Sequence, residues 1–316
     1  MFWEESEKSI KKNVWGSDMG YRAIFLTKGC RLSVKNEQLL IDNGDTAKIP
    51  LEDIGCIVAD SEQVGLNTYL MMKLAEYAVT LIIDNKSHTP CGVYLPFARH
   101  SRHLMLLREQ IKMTEPAKKK LWKQIVQKKI ENQADVLKIC GIEQWKEIDS
   151  IKTKVKSGDT SNMEGVAAAR YFKLLFGKEF MRSQENVVNA MLNYGYAVFR
   201  STIAKNLVVY GFEPSLGIHH KNLLNSFNLA DDMIEPFRPI VDLFVKIYAE
   251  DAEELDTKMK TRLVDLLNMN VLMNGKFFTA SRAADIQIQS LSGFISGKNA
   301  ELILPTIVEL ERHRYE

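Results

Sequence analysis

"CGVYLPFARHSRH", residues 91–103, separates two parts of the chain that have different patterns. Before it, short runs rich in aliphatic and β-branched residues alternate with turn residues, which predicts strands. After residue 104, apolar residues recur at spacings of three and four, which predicts helices. The sequence therefore predicts an α+β protein, with a small β-rich N-terminal domain followed by a larger all-helical C-terminal domain.

The N-terminal part contains five short runs that predict strands. One helix fits among them, "LNTYLMMKLAEYA" (66–78), because its apolar residues recur at helical spacing. "NGD" at 43–45 is typical of a tight turn between two strands. The predicted strands lie within 21–27, 30–36, 37–43, 53–60 and 79–85.

The C-terminal part shows helical spacing almost throughout. The predicted helices cover 104–113, 118–139, 166–177, 187–211, 240–251 and 260–273. These patterns divide the chain into an unassigned segment, a β-rich domain, a linker and a helical domain, at 1–16, 17–94, 95–104 and 105–316.

The composition excludes some classes of protein. A hydrophobic fraction of 46% in 316 residues is enough for a core, and a net charge of +2 neither demands nor excludes an anionic partner. The four cysteines form no CxxC pair, which argues against a zinc knuckle and a disulfide framework. We find no signal-peptide pattern and no apolar run of roughly 18 residues that could span a bilayer. We therefore expect a cytoplasmic protein.

"GIHHKNLLNSFNLADDMIEPFRP" (217–239) is the first candidate site, because two of the six histidines precede a group of acids. Asp232 and Glu235 are three residues apart, so on a helix they share one face, where a divalent cation would relieve their repulsion. The alternative is a solvated turn with acids near a helix start. His219 and His220 point to opposite sides of an extended segment, so one of them at most is a ligand. The spacing leaves open which one.

"SNMEGVAAARYF" (161–172) is the second candidate site. Ser161 and Glu164 have the spacing of a capping box, so Glu164 could simply cap a helix. The alternative is that Glu164 points into a cleft, where Gly165 and the following alanines allow another group to come close. Both interpretations stay open on the sequence alone.

Two further features of the sequence have a structural and a functional interpretation. Asn189, Asn193 and Gly195 lie in an otherwise apolar helix and indicate tight packing beside a polar site.

Basic residues cluster in "AKKKLWKQIVQKK" (117–129) and around 99–103. Such clusters are either solvated faces or sites for backbone phosphates.

These stretches, in this order, resemble the Cas1 family, the catalytic integrase subunit of CRISPR spacer acquisition. The segments that carry the resemblance are "EGVAAARYF" (164–172), "NVVNAMLNYGYAV" (186–198), "GIHHKN" (217–222) and "FNLADDMIEPFRPIVD" (227–242). The last one is most similar to the subgroup found beside Cas9 effectors, the type II systems. The first sixteen or so residues have no clear counterpart.

The resemblance implies a metal site formed by Glu164, His220 and Glu235, and so selects His220 over His219. It also implies that Asp232 is an acid that supports the site. Two carboxylates and one imidazole suit Mg²⁺ or Mn²⁺. The implied activity is that of a metal-dependent DNA endonuclease and integrase, a phosphodiester-cleaving enzyme of the hydrolase class. In it, the 3′-hydroxyl of an incoming DNA fragment attacks a phosphodiester at the CRISPR repeat.

The resemblance also implies partners. The family forms a homodimer through its β-rich domains, and two dimers flank a Cas2 dimer in a heterohexamer that binds DNA; an effector nuclease is a further candidate partner. Arg238 matches a basic position suited to a backbone phosphate. The other residues that we expect to bind DNA are Arg170, Lys118, Lys119, Lys120, Arg99 and Arg102.

Two other functions compete with this one. A non-catalytic DNA-bridging subunit of the same complex would bind DNA without metal-dependent strand transfer, but all three implied ligands are present in the chain. A metal-dependent hydrolase of small phosphoesters would need a closed set of pocket-lining residues, and no such motif is found in the sequence.

Overall fold

The computed structural model describes residues 22–85, 90–95, 103–249 and 252–313. The unassigned segment 1–16 and the predicted DNA-binding residues Arg99 and Arg102 lie outside this part of the chain. In the described N-terminal part the elements are β1 (Arg22–Leu26), β2 (Cys30–Lys35), β3 (Gln38–Asp42), β4 (Thr46–Pro50), β5 (Ile54–Ala59), β6 (Val64–Gly65), α1 (Thr68–Glu76), β7 (Thr80–Asp84) and β8 (Pro90–Tyr94).

These strands form two four-stranded sheets. The first has the order β1-β5-β7-β8, in which β5 is parallel to both of its neighbours. All six residues of β5 are buried, as expected for a central parallel strand that is covered on both faces. The second sheet has the order β4-β3-β2-β6. All five predicted strands, the turn at 43–45 and the helix within 66–78 are confirmed.

The C-terminal part is mostly helical, which confirms the predicted change from strands to helices. Its elements are α2 (His103–Lys112), α3 (Glu115–Ile139), α4 (Trp145–Lys152), α5 (Met163–Phe176), α6 (Val187–Val209), α7 (Asn228–Ile234), a 3-10 turn (Glu235–Phe237), α8 (Arg238–Tyr248), α9 (Thr257–Asp265), β9 (Met269–Met273), β10 (Lys276–Thr279), α10 (Ala280–Ile295) and β11 (Thr306–Arg312). No described helix is long and apolar enough to cross a membrane.

The helical domain also contains a three-stranded sheet, with the order β10-β9-β11. The predicted helix over 260–273 is confirmed as far as Asp265 and is wrong for its last part, which forms β9, so this domain is largely rather than wholly helical. The reason is the turn at Asn274 and Gly275, where both residues have positive φ angles (49° and 76°). Such a turn favours a hairpin, and it commits the preceding residues to β9.

Helix α3 is the centre of the helical domain, with α4, α5, α8 and β11 packed around it. Asn132 on α3 is fully buried and fastens the helix to two distant segments. Its Nδ2 donates to the backbone oxygens of Pro236 (2.7 Å) and Pro305 (2.9 Å), and its Oδ1 accepts from the amide of Ile307 (3.4 Å). These hydrogen bonds hold the start of β11 and the 3-10 turn after α7 against the same helix.

Helix α6 packs closely on α8 at Gly195. A Cβ at this position would lie 2.4 Å from Cγ1 of Val241, so only glycine fits. Asn189 and Asn193, which also looked unusual in this helix, accept hydrogen bonds from the guanidinium of Arg182. The interpretation of tight packing at this glycine is confirmed.

We expect Gly195→Ala to lower the free energy of unfolding. The added methyl group overlaps Val241, and overpacking of this kind costs about 1–3 kcal/mol, partly offset by the higher helix propensity of alanine. Urea denaturation of the variant measures the loss. In a Val241→Ala background the same substitution should cost clearly less, and an equal cost in both backgrounds would contradict the packing argument.

Candidate active site

Asp232 holds the loop that carries both histidines. Its side chain on α7 is fully buried, and its carboxylate accepts hydrogen bonds from the backbone amides of Ile218 (2.5 Å), His219 (3.1 Å) and His220 (3.1 Å). The same carboxylate lies 2.7 Å from Nδ1 of the His220 ring. One buried acid therefore fixes both the backbone of the loop and the direction of one imidazole.

The loop can come this close to Asp232 because residue 217 is glycine. A Cβ on Gly217 would lie 2.2 Å from the backbone oxygen of His220 and 3.1 Å from Oδ2 of Asp232. No other residue fits this turn without moving the loop. The loop can therefore hold His220 in this position only because residue 217 is glycine.

The two histidines have different surroundings. His219 stacks on the buried Trp122, with ring centroids 4.2 Å apart and the planes nearly parallel (2°). The His220 ring is perpendicular to that of His219 (85°), and the hydrogen bond with Asp232 raises its pKa, against the opposing effect of burial. Within the described residues, Nε2 of His220 has no hydrogen-bond partner. This geometry makes His220 the histidine that is oriented for a ligand.

Glu164 lies in the first turn of α5 and does not close a capping box. The cap of this helix is Asn162, which accepts from the amide of Gly165 (3.2 Å), while Asp159 accepts from the amide of Glu164 (2.9 Å). The side chain of Glu164 turns instead towards α3, where its Oε1 lies 2.6 Å from Nζ of Lys129. The cap interpretation of Glu164 is therefore wrong.

Glu235 is the first residue of the 3-10 turn between α7 and α8, and its side chain is 4% exposed. Its Oε1 accepts a hydrogen bond from Nε of Arg238 (2.8 Å), and the ammonium of Lys129 contacts its Oε2. Burial raises the pKa of this carboxyl, but the charges of Arg238 and Lys129 outweigh burial and hold the pKa below its usual range. The side chain is thus a buried carboxylate between two cations.

Lys129 contacts both glutamates. This contact was not predicted from the sequence, because Lys129 belongs to a lysine run that was interpreted as either a solvated face or a phosphate-binding face. Its side chain is only 10% exposed. Burial lowers the pKa of Lys129, but the charges of Glu235 and Glu164 overcome this effect and raise it. A signal was present: Lys129 follows Trp122 and Val126 at helical spacings of seven and three, on the apolar stripe of α3. A charged residue on such a stripe indicates a buried ion pair.

The structure brings Glu164 and Glu235 together around one cation, and the charge of Glu235 also raises the pKa of the nearby His220. Asp232 does not join this cluster, because its oxygens are occupied by the histidine loop. Within the described ranges, no three His, Cys, Asp or Glu side chains lie close enough to form a complete metal-binding group.

The donor set nevertheless fits a divalent ion. Two carboxylates from α5 and the 3-10 turn already converge on a positive charge, the ammonium of Lys129. Oε2 of Glu235 is buried and makes no hydrogen bond of good geometry, so it retains capacity for a ligand. Carboxylate oxygens with one imidazole nitrogen suit Mg²⁺ or Mn²⁺.

The other predicted DNA-binding residues lie on the surface or at the edge of the site. Arg170 on α5 is exposed, 3.9 Å from a carboxylate oxygen of Glu147. Lys119 and Lys120 are exposed at the start of α3, and Lys118 pairs with Glu115 at 3.5 Å. Arg238 is the exception, because it is partly buried beside Glu235, with its guanidinium 4.6 Å from the ring centroid of Tyr196.

A cavity of about 460 Å³ opens beside His220. Its walls come from α2, the start of α3, the loop around 215–225 and the end of α10, and they include Lys118 and Lys221. Leu223, which also lines it, and the adjacent Leu224 are almost completely exposed (100% and 95%). The histidine thus faces a space that could accept part of a large substrate.

A model of the family described as CRISPR associated protein Cas1 matches residues 24–251. The chain belongs to the Cas1 family. A CRISPR-associated endonuclease Cas1 from Neisseria meningitidis serogroup C (strain 8013) is 40% identical over 304 residues, which cover 94% of this chain and 100% of that protein. The family assignment made from the sequence motifs is therefore confirmed.

Two solved structures share the fold at lower sequence identity. A casposase bound to an integration product has a TM-score of 0.71 and 20% identity, over 89% of this chain and 92% of that chain. A chain of a Cas6-RT-Cas1–Cas2 complex has a TM-score of 0.68 and 19% identity, over 90% of this chain and 36% of that chain. The Cas1 fold therefore extends over most of the chain.

We expect Asp232→Asn to lower the free energy of unfolding by about 2–4 kcal/mol, because an amide nitrogen would then face buried N–H donors of the histidine loop. Asp231→Asn, one residue earlier, is the matched control: this residue is partly buried and pairs with the side chains of Arg200 and Asn225 rather than with backbone amides of the histidine loop, so we expect a smaller cost. Urea denaturation compares the two variants, and equal costs would contradict the role given to Asp232.

Proposed function

We propose that the protein is a metal-dependent DNA integrase and endonuclease that inserts DNA fragments into a CRISPR array. The observation that carries the proposal is the convergence of Glu164 and Glu235 on one cation, beside a histidine oriented by Asp232, in a chain of the Cas1 family. The relative named as an endonuclease supports DNA cleavage, and the casposase with its integration product supports strand transfer.

In this proposal, Glu164, Glu235 and Nε2 of His220 hold the divalent ion. When bound, the ion polarises a phosphodiester and stabilises the negative charge that develops on it. Asp232 is a positioning residue, since it keeps Nδ1 of His220 occupied and turns Nε2 away from the loop. The catalytic set is thus carried by α5, the 3-10 turn and the loop before α7.

The proposed reaction exchanges one phosphodiester for another. The 3′-hydroxyl of the incoming DNA attacks the phosphorus at the repeat, a new P–O bond forms, and the 3′-oxygen of the cut strand leaves with a proton. Arg238 reaches Glu235 through Nε, so its terminal amino groups can approach a backbone phosphate. No nucleoside triphosphate takes part.

We further propose that the protein acts as a homodimer and, with Cas2, as a heterohexamer on DNA. The fold shared with a chain of a Cas6-RT-Cas1–Cas2 complex supports the Cas2 partnership. Lys119, Lys120 and Arg170 are exposed, and Lys118 lines the cavity beside His220, so these cations are suited to backbone phosphates.

Strand transfer on a half-site DNA tests the proposal, with purified protein, with and without Cas2, in Mn²⁺, Mg²⁺ or EDTA. We expect joining only with a metal ion. His220→Ala, Glu164→Ala and Glu235→Ala should each reduce it by about a hundredfold or more, as loss of an electrostatic catalytic group does. His219→Ala is the matched control, because this ring stacks on Trp122, and it should have a much milder effect.

Two outcomes would contradict this assignment. DNA binding without strand joining in the presence of any metal ion would favour a non-catalytic DNA-bridging subunit. In that case the contact of Lys129 with both glutamates would be a permanent structural ion pair. An inactive His219→Ala variant beside an active His220→Ala variant would reverse the choice of histidine.

We expect neutralisation of Lys118, Lys119 and Lys120 to weaken binding to all DNA sequences alike. Each lysine that contacts a phosphate adds about 0.9 to the slope of log affinity against log salt, so the slope should become shallower. Fluorescence anisotropy over a salt series measures it. A variant that neutralises three exposed lysines on strands, Lys35, Lys48 and Lys276, is the control, and equal slopes for the two variants would assign the α3 lysines to a solvated face.

A further inference from the structure

Lys129 occupies an unusual place for a lysine. It lies on the buried side of α3, with its ammonium 2.6 Å from Oε1 of Glu164 and in contact with Oε2 of Glu235. These are the carboxylates that the proposed function assigns to the metal ion. A positive charge of the chain itself therefore contacts two of the three proposed ligands.

The charges around these carboxylates already cancel. Glu164 and Glu235 contribute −2, while Lys129 and Arg238, which are in direct contact with them, contribute +2. Adding a divalent ion to this set would leave it with a charge of +2 in a partly buried site, which is costly unless another anion joins or a cation withdraws. A backbone phosphate of DNA is such an anion.

We propose that Lys129 is a tethered counter-ion that competes with the divalent ion for Glu164 and Glu235, so that tight metal binding requires a DNA phosphate. The inference rests on the proposed metal site and deepens it. When DNA arrives, its phosphate supplies negative charge, and the flexible four-carbon stem of the lysine lets the ammonium move from the carboxylates to that phosphate. The protein then binds its metal ion tightly only on its substrate.

The chain supplies a matched control in the neighbouring residue. Lys128 is also on α3, but its ammonium donates to Oε2 of Glu131 (3.0 Å) and to Oγ1 of Thr306 (2.6 Å), outside the site. Lys128→Met removes the same charge from the same helix without touching the two glutamates. A difference between the two lysine variants therefore reports on the place of the charge.

Mn²⁺ binding to metal-free protein tests the inference, measured by calorimetry or by electron paramagnetic resonance of free Mn²⁺. The titration is done without DNA and with a half-site DNA whose incoming 3′ end is dideoxy and cannot react. We expect DNA to tighten Mn²⁺ binding to the wild-type protein by about tenfold or more. Lys129→Met should tighten DNA-free binding by about tenfold or more, because a nearby like charge is removed, and should reduce the effect of DNA.

Two further variants keep the test decisive. Lys129→Arg retains the positive charge and should bind Mn²⁺ like the wild type. If Lys129→Met folds poorly without metal, Lys129→Gln keeps a hydrogen-bond donor between the glutamates, and Mn²⁺ should raise its melting temperature more than that of the wild type.

The outcomes separate this inference from the proposed function. Glu164→Gln with Glu235→Gln should abolish Mn²⁺ binding, and unchanged binding in that double variant would overturn the metal site itself. If the double variant loses Mn²⁺ while Lys129→Met, Lys129→Gln and Lys128→Met all bind it like the wild type, the metal site stands and the role of Lys129 is overturned. Equal affinities with and without DNA in the wild type would also overturn it.

Discussion

The buried carboxylate of Glu235 is the constraint around which the helical domain is arranged. A carboxylate that is almost fully removed from water needs partners of opposite charge, because its lost hydration costs several kcal/mol. Arg238 provides one partner from the next turn of the same segment, and Lys129 provides the other from α3. The second contact links α3 to the junction of α7 and α8, and through Glu164 also to α5. The compensation of one charge thus brings together three segments that are distant in the sequence.

Asp232 and Glu235 show how two acids on adjacent turns can have separate tasks. Both are buried, and one interpretation of the sequence placed both at a single ion, whereas the family resemblance gave Asp232 a supporting role. The structure instead directs Asp232 towards backbone amides of the histidine loop and Glu235 towards side-chain cations. Backbone donors fix geometry without adding full charges, whereas ammonium and guanidinium groups change the electrostatic balance. The site therefore separates the positioning of its histidine from the control of its charge.

Local sequence patterns were sufficient to predict those helices and strands whose conformation does not depend on contacts with distant segments. Strand β5 and helix α6, for example, follow directly from apolar runs and helical spacing. Strand β9 was missed because "NVLM" suits either state; the turn at Asn274 and Gly275 and the pairing with β10 and β11 decide in favour of a strand. The motif residues Glu164, His220 and Glu235 could be chosen from the family resemblance. The apolar stripe of α3 indicates that Lys129 is buried in an ion pair, but the two carboxylates that pair with it depend on how α3 packs against α5 and the 3-10 turn, which spacing does not give.

The contacts between α3 and the start of β11 have a consequence for how the protein is made. Asn132 binds the backbone at residues 305 and 307, and Lys128 binds Thr306, so the helix that carries Lys129 gains its last supports from β11. Synthesis proceeds from the N-terminus, and domains generally fold as units while the chain emerges. A nascent chain that has been made only as far as α8 lacks these contacts, and its charged cluster is incompletely supported. The two glutamates therefore reach their final arrangement around Lys129 only after β11 has been made, later than the helices that carry them.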